Sequence, residues 1–149
     1  PNGGVQSFRI ASSTDTARAF VQVIENRKRV VRKAYFIGQK EIITLRDFVE
    51  ESARAMGLMP DYVEIPSEIL GEMGGPWAPM VNLVPDISAA RKDFGFEPTP
   101  FVDFVHSTAH WFRDCWRGDE KKLLATRDKE LKLATSWKKL VEQIERQRV

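Results

Sequence analysis

A chain of 149 residues, 42% of them apolar, is long enough for one hydrophobic core and short for two, so a single compact unit is expected. The formal net charge of +2 indicates neither a nucleic-acid-binding protein nor a membrane-surface protein. No apolar run approaches the roughly 20 residues that span a bilayer, and residues 1–4 do not resemble a signal peptide. A single cysteine, Cys115, cannot form an internal disulfide, which favours a cytoplasmic protein.

The first half of the chain is expected to alternate strands and helices. Residues 7–11 predict a strand, and residues 34–38 and 62–66 predict two more. Between the first two lies a helix ending near Asn26, with an apolar stripe of Ala17, Phe20, Val21 and Ile24. The order strand, helix, strand, helix, strand favours parallel pairing.

Helix caps mark the start of both helices in this half. The residues Ser13, Thr14 and Asp15 are all able to cap the first helix. Thr44 begins the second helix, with Asp47 three residues later as in a capping box, and Gly57 ends it. The predicted buried stripe of this second helix is Leu45, Phe48, Val49, Ala53 and Met56.

A long irregular stretch follows a short helical segment at residues 67–73. Residues 55–90 contain no Lys or Arg and five carboxylates, so a diphosphate would meet a field of the wrong sign. Met73, Trp77 and Met80 could therefore form an apolar lid over a less charged ligand. They could equally anchor the loop in the core.

Residues 84–100 form the most specific stretch of the chain. Asp86 or Ser88 can cap a short helix, Gly95 can end it in a left-handed conformation, and the prolines that follow prevent its continuation. A helix over residues 100–116 comes next, and its broad apolar face predicts that it is covered on more than one side.

This stretch resembles the C-terminal signature of extended short-chain dehydrogenase/reductases, the NAD-dependent epimerase/dehydratase family. The matching residues are Asp86, Ser88, Ala90, Arg91, Gly95, Phe96 and Pro98. Looser matches occur over residues 10–17 and 35–38, where Phe36 stands in place of the usual Asn. The resemblance ends near Arg117 and covers roughly three quarters of the chain.

The resemblance implies a helix-rich α/β fold. We expect a small mixed or parallel sheet of about three short strands with five to six helices, a partial extended-dehydrogenase fold without its Rossmann half. The predicted domains are residues 1–118, the substrate-binding portion, and residues 119–149, a basic amphipathic helix. Residues 1–116 carry 13 Lys and Arg against 15 Asp and Glu, a net of −2, whereas residues 117–149 carry 10 against 6, a net of +4.

The implied function is the substrate-binding part of an NAD(P)-dependent epimerase, dehydratase or reductase, that is, of an oxidoreductase or isomerase. The family's glycine-rich turn and Tyr-x-x-x-Lys pair are missing, because Tyr35 is followed four residues later by Gln39 and Tyr62 by Pro66. We therefore assign no catalytic or cofactor-binding residue, and NAD or NADP is expected only in the complete enzyme. Whether this chain alone is an enzyme stays open. The substrate-binding candidates are Arg9, Ser12, Phe36, Met73, Trp77 and Met80.

Two kinds of partner are expected besides a small-molecule substrate. One is the missing dinucleotide-binding half, and the other is a second copy of the chain, because a surface built to face that half would be apolar and prone to self-association. The alternative function is a non-enzymatic interaction module. Its contact surface would be the C-terminal helix, through Leu133, Trp137, Leu140, Val141 and Ile144. That helix could instead pack on its own domain.

His106 and His110 stand four residues apart on one predicted helix, a spacing that could place two imidazoles on one metal ion. No third ligand is evident, and the glutamate of the metalloprotease motif is missing. We predict two histidines at the helix surface and no metal site.

Overall fold

The computed structural model describes residues 2–70, 81–125 and 127–147. After a 3₁₀ turn at Asn2–Gly4 these residues form two short strands and eight helices, five of them longer than one turn. In chain order the elements are β1 (Ser7–Phe8), α1 (Ser13–Glu25), α2 (Arg27–Val30), β2 (Ile43–Thr44), α3 (Leu45–Ala55), α4 (Ser67–Leu70), α5 (Ser88–Phe94), α6 (Phe101–Cys115), α7 (Glu120–Leu123) and α8 (Arg127–Gln147). The expected helix-rich character is confirmed.

The sheet differs from the prediction. β1 and β2 pair antiparallel, with Ser7 opposite Thr44 and Phe8 opposite Ile43. One parallel bridge places Leu83 beside Phe8. The Arg9 N–H donates to the Leu83 carbonyl oxygen at 2.9 Å, and the Leu83 N–H donates to the Ser7 carbonyl oxygen at 2.8 Å. The predictions of strands at residues 34–38 and 62–66 are wrong, because neither segment pairs with another among the described residues. Residues with high strand propensity form a β-ladder only where a second strand lies beside them.

Helix ends follow local chemistry closely. Thr44 Oγ1 accepts the Asp47 backbone N–H at 3.1 Å while Asp47 Oδ2 accepts the Thr44 N–H at 2.8 Å, which confirms the predicted capping box. At the end of α5, Gly95 adopts a left-handed conformation with φ of 71°, as expected. The cap of α1 is Ser12, one residue before the predicted candidates, and its hydroxyl accepts the Asp15 N–H at 3.0 Å.

Two apolar clusters form the core of the described chain. The first lies where the strands meet α6, and its buried members are Phe8, Ile43, Phe101, Phe104 and Val105. The second lies among α1, α2, α5 and the turn after α5, and its buried members are Ala19, Val30, Ala90, Phe94 and Phe96. The family-signature residues 84–100 thus contribute three side chains to the second cluster, so they serve packing.

The C-terminal helices only partly match the prediction. The helix predicted over residues 100–116 forms as α6, but its apolar face is covered only in its first half, and Trp111 and Phe112 are exposed. The helix predicted from residue 119 is divided into α7 and α8. None of the described helices is long and apolar enough to cross a membrane.

Candidate functional site

Arg9, a predicted substrate-binding residue, lies just after β1 and connects two other segments. Its Nη1 donates to the Pro85 carbonyl oxygen at 2.6 Å and its Nη2 to the Lys40 carbonyl oxygen at 3.3 Å. The Nε atom is buried and has no hydrogen-bond partner among the described residues. Arg9 therefore positions residues 40 and 85, and its buried Nε makes no hydrogen bond to the described residues.

The residues next to Arg9 lie against a second segment. Ile10 and Gln39 are joined twice, because Gln39 Oε1 accepts the Ile10 N–H at 2.8 Å and the Gln39 N–H donates to the Ile10 carbonyl at 2.7 Å. A Cβ atom on Gly38 would lie 3.1 Å from Arg9 Cγ and 3.2 Å from the Ile10 carbonyl oxygen, so a side chain here would require these neighbours to shift. The Gln39 side chain is buried, and its Nε2 lacks a partner among the described residues. The sequence analysis missed Gln39, which only its position after a turn glycine could have suggested.

Ser12 and Phe36 have different environments. The Ser12 hydroxyl caps α1, so it is already used within the fold. The Phe36 side chain is 68% exposed, whereas its neighbours Tyr35 and Ile37 pack against the second core cluster. This alternation of inward and outward side chains is that of a strand at the edge of a sheet.

Lys33, Tyr35 and Asp93 form a polar cluster that holds this segment on α5. Asp93 Oδ2 accepts hydrogen bonds from Lys33 Nζ at 2.8 Å and from the Tyr35 hydroxyl at 2.7 Å. These bonds lower the pKa of Asp93, and the bond to Asp93 raises the pKa of Lys33. Desolvation, and then the bond to Asp93, raises the pKa of Tyr35. Because the phenol is made a weaker acid, the cluster is suited to positioning and not to proton transfer.

The predicted apolar stripe of α1 lies on the outside of the molecule. We call Ala17, Phe20, Val21 and Ile24 the α1 outer face. All four side chains are exposed, Phe20 to 68% and Ile24 to 74%. The buried side of α1 instead carries Asp15 and Ala19. A folded protein rarely leaves two large apolar side chains of one helix this exposed unless another surface covers them.

The remaining predicted site residues divide into two groups. Met73, Trp77 and Met80 lie outside the described residues. On α8, Leu133, Trp137 and Val141 are half-buried, while Leu140 and Ile144 are 45% and 43% exposed. A cleft of about 380 Å³ separates α8 from residues 61–70, across which Lys138 Nζ contacts Asp61 Oδ2 at 2.8 Å. No hydrogen bond or ion pair joins the α8 residues to Arg9 within the described part of the chain.

His106 takes part in helix packing, whereas His110 is exposed. His106 Nε2 lies 2.8 Å from Glu51 Oε1, which joins α6 to α3, and the other oxygen of the buried Glu51 accepts from Arg54. His110 is 6.2 Å from His106 between ring centroids. Among the described residues no group of three ligand side chains could hold a metal ion.

The glycine-rich dinucleotide motif does not occur at the starts of the longer described helices. That motif is a glycine-rich turn leading into a helix N-terminus with free amides. No glycine immediately precedes α1, α3, α5 or α6, and amides at the starts of α1 and α3 are taken by Ser12 and Thr44.

Comparisons with protein-family models, curated proteins and solved structures find no match. The resemblance to the epimerase/dehydratase family therefore rests on the sequence signature. The α1 outer face is the strongest candidate for a functional contact among the described residues, because it lies on an ordered helix and exposes large apolar side chains; Phe36 is a second exposed apolar side chain.

Proposed function

We propose that this chain is the substrate-binding portion of an NAD(P)-dependent epimerase, dehydratase or reductase, whose dinucleotide-binding and catalytic half is formed by residues outside these 149. The observation that carries the proposal is the exposed apolar surface of the α1 outer face. Its Phe20 and Ile24 have the spacing of a buried helix stripe and yet lie outside. A second layer packed on this face would bury them.

The segment around Phe36 supports the same proposal. Residues 34–37 have strand-like alternation, and Tyr35 is held to Asp93, so the inward register is set. Among the described residues no backbone hydrogen bond joins this segment to a neighbouring strand. An extended segment without a backbone partner is one with which a strand from another unit can pair.

Arg9 is the residue best placed to meet a substrate in this arrangement. Its guanidinium is held by two carbonyl groups and no carboxylate bonds to it among the described residues, so its positive charge is not neutralised by a direct ion pair. Because the Nε is buried, a carbonyl, hydroxyl or carboxylate oxygen of a ligand would meet the guanidinium through its Nη groups. NAD or NADP would supply the hydride chemistry from the other half.

The test is the complete translation product that contains these residues. We expect a glycine-rich strand–turn–helix unit and a Tyr-x-x-x-Lys pair ahead of Pro1, and binding of NADH or NADPH detected by its fluorescence. The 149-residue chain alone should bind neither, and is the matched control. A complete product that binds no dinucleotide would refute the proposal, as would a product with no such motifs.

The exposed end of α8 favours a second candidate, a non-enzymatic interaction module. Leu140 and Ile144 present an apolar stripe on a helix that has no fully buried residue in its described length. If the complete product lacks dinucleotide binding while a chain ending at Gly118 loses a contact that the full chain makes, this second function is supported instead.

A further inference from the structure

α8 is weakly held by its own chain. No residue of Arg127–Gln147 is fully buried, and a cleft lies between its first half and residues 61–70. The Lys138–Asp61 ion pair across this cleft joins two largely exposed side chains, so it contributes little to stability. A helix of 21 residues, about 31 Å long, therefore presents much of its surface to solvent.

A second groove of the molecule, away from α8 in its lining residues, is apolar. It lies between α3 and α6, has a volume of about 370 Å³ and contains no ionisable side chain. Its walls include Phe48 and Met56 on one side and Phe104, Ala109 and Phe112 on the other. Its polar Ser52 already donates to the Phe48 carbonyl oxygen at 2.7 Å. A small polar ligand would find almost nothing to orient it, whereas an apolar helix face needs no such group.

The two surfaces match in length and in pattern. From Phe104 to Phe112 the groove follows α6 for eight residues, about 12 Å at 1.5 Å per residue. On α8 the apolar positions Trp137, Leu140 and Ile144 extend over seven residues, about 10 Å. An amphipathic helix in an apolar groove uses anchors with this i, i+3 and i+7 spacing.

The charges match as well. A depression along α3, beside the groove, is lined by four carboxylates and Arg54 as the one cation: Glu41, Asp47, Glu50 and Glu51. Residues 1–116 have a net charge of −2 and residues 117–149 a net charge of +4. The C-terminal segment of one copy is thus attracted to the body of another, and the docked part, residues 137–147, contributes three cations against two carboxylates.

We infer that the α3–α6 groove receives the outer half of α8, through Leu140 and Ile144, from a second copy of this chain. Exchange of the two helices fills both grooves and closes the assembly as a dimer with two equal contacts. The contact lies apart from the α1 outer face, so it stands or falls independently of the proposed function.

Sedimentation velocity and light scattering over a concentration series test the inference. The unmodified chain should form a dimer, and Leu140→Gln with Ile144→Gln should weaken it by about tenfold or more, since both side chains lose apolar contact. Because these residues are exposed, the double variant should keep its circular dichroism spectrum. Lys139→Gln, away from the apolar stripe of α8, is the matched control; it removes one positive charge but no apolar contact, so it should weaken the dimer much less than the double variant.

A crosslink identifies the groove directly. One chain carries Thr108→Cys and a second carries Ile144→Cys, both in a Cys115→Ser background, and the mixture is oxidised. A mixed disulfide dimer is expected, whereas Glu142→Cys, which points away from the stripe, should give much less. A chain that stays monomeric would overturn the inference, as would a dimer that resists the α8 double variant but dissociates with Phe20→Ser.

Discussion

Asp15 connects the first turn of α1 to the turn that follows α5, and its replacement by alanine should strongly destabilise the fold. Its Oδ2 accepts the Thr99 backbone N–H at 2.9 Å, and its Oδ1 accepts the Thr99 hydroxyl at 2.7 Å. Arg18 also donates to Oδ1. The Asp15 side chain is buried, so Asp15→Ala leaves the Thr99 N–H without its acceptor and inaccessible to full hydration.

The cost follows from these bonds. Hydrogen bonds to a charged acceptor contribute about 1.5–3 kcal/mol each. Because the structure partly relaxes after the substitution, loss of the two bonds from Thr99 should lower the free energy of unfolding by about 3 kcal/mol in total. The ion pair adds less than about 1 kcal/mol, because the Arg18 side chain is 43% exposed and its charge is screened by water. For a chain of this size the loss corresponds to a decrease of roughly 6–12 °C in Tm.

Equilibrium unfolding in urea, followed by circular dichroism, measures this loss. Asp103→Ala is the matched control, because Asp103 is an exposed carboxylate in the first turn of α6 and should cost less than about 1 kcal/mol. Thr99→Val in both backgrounds completes a double-mutant cycle, with an expected coupling of about 1 kcal/mol or more. If Asp15→Ala costs no more than Asp103→Ala, the reasoning is refuted.

Three further substitutions probe the core, a cap and a close approach. Phe96→Ala removes a side chain with no exposed surface and should cost about 3–5 kcal/mol in urea unfolding, and a loss below about 1 kcal/mol would contradict its burial. Hydrogen bonds from Thr44 keep the pKa of Asp47 in the folded protein below the ordinary aspartate value. Ionised Asp47 therefore stabilises the fold fully at a pH above the ordinary aspartate pKa, and this stabilisation is lost as the pH falls through the lowered pKa of the folded protein. Asp47→Asn should therefore flatten the acid side of the urea-midpoint profile, and an unchanged slope would argue against the capping box. Gly38→Ala places a methyl group against Arg9 Cγ and should cost about 1–3 kcal/mol, whereas a neutral result would show that Arg9 moves aside freely.

The helices and their ends could be predicted from the sequence because their determinants are local. The capping box of Thr44 and Asp47 and the left-handed Gly95 each act within a few residues of the chain. The short helix within residues 84–100 could be predicted for the same reason, and its Ala90 and Phe94 are buried in the second cluster. Periodicity identifies such elements without knowledge of their neighbours.

The sheet could not be predicted, because strand pairing depends on residues far apart in sequence. β2 is only two residues long and immediately precedes a helix cap, so no alternation marks Ile43 as the partner of Phe8. The contact of Arg9 with the Pro85 carbonyl joins residues 76 positions apart and leaves no local signal. The Gln39 side chain accepts the Ile10 N–H in place of a backbone carbonyl group, and a pattern of apolar residues does not predict such a bond.

The orientation of α1 shows what periodicity leaves open. The stripe that includes Phe20 and Ile24 was correctly assigned to one side of a helix, but that side faces outward. The inward side carries Asp15 and Ala19, a hydrogen-bonded carboxylate and a small residue that allows close packing on the signature turn. The described chain leaves these apolar residues uncovered although they have the spacing of core residues. Such an arrangement is expected for a helix that lies between two layers, with one layer on each side. Under the proposed function the second layer is the dinucleotide-binding half.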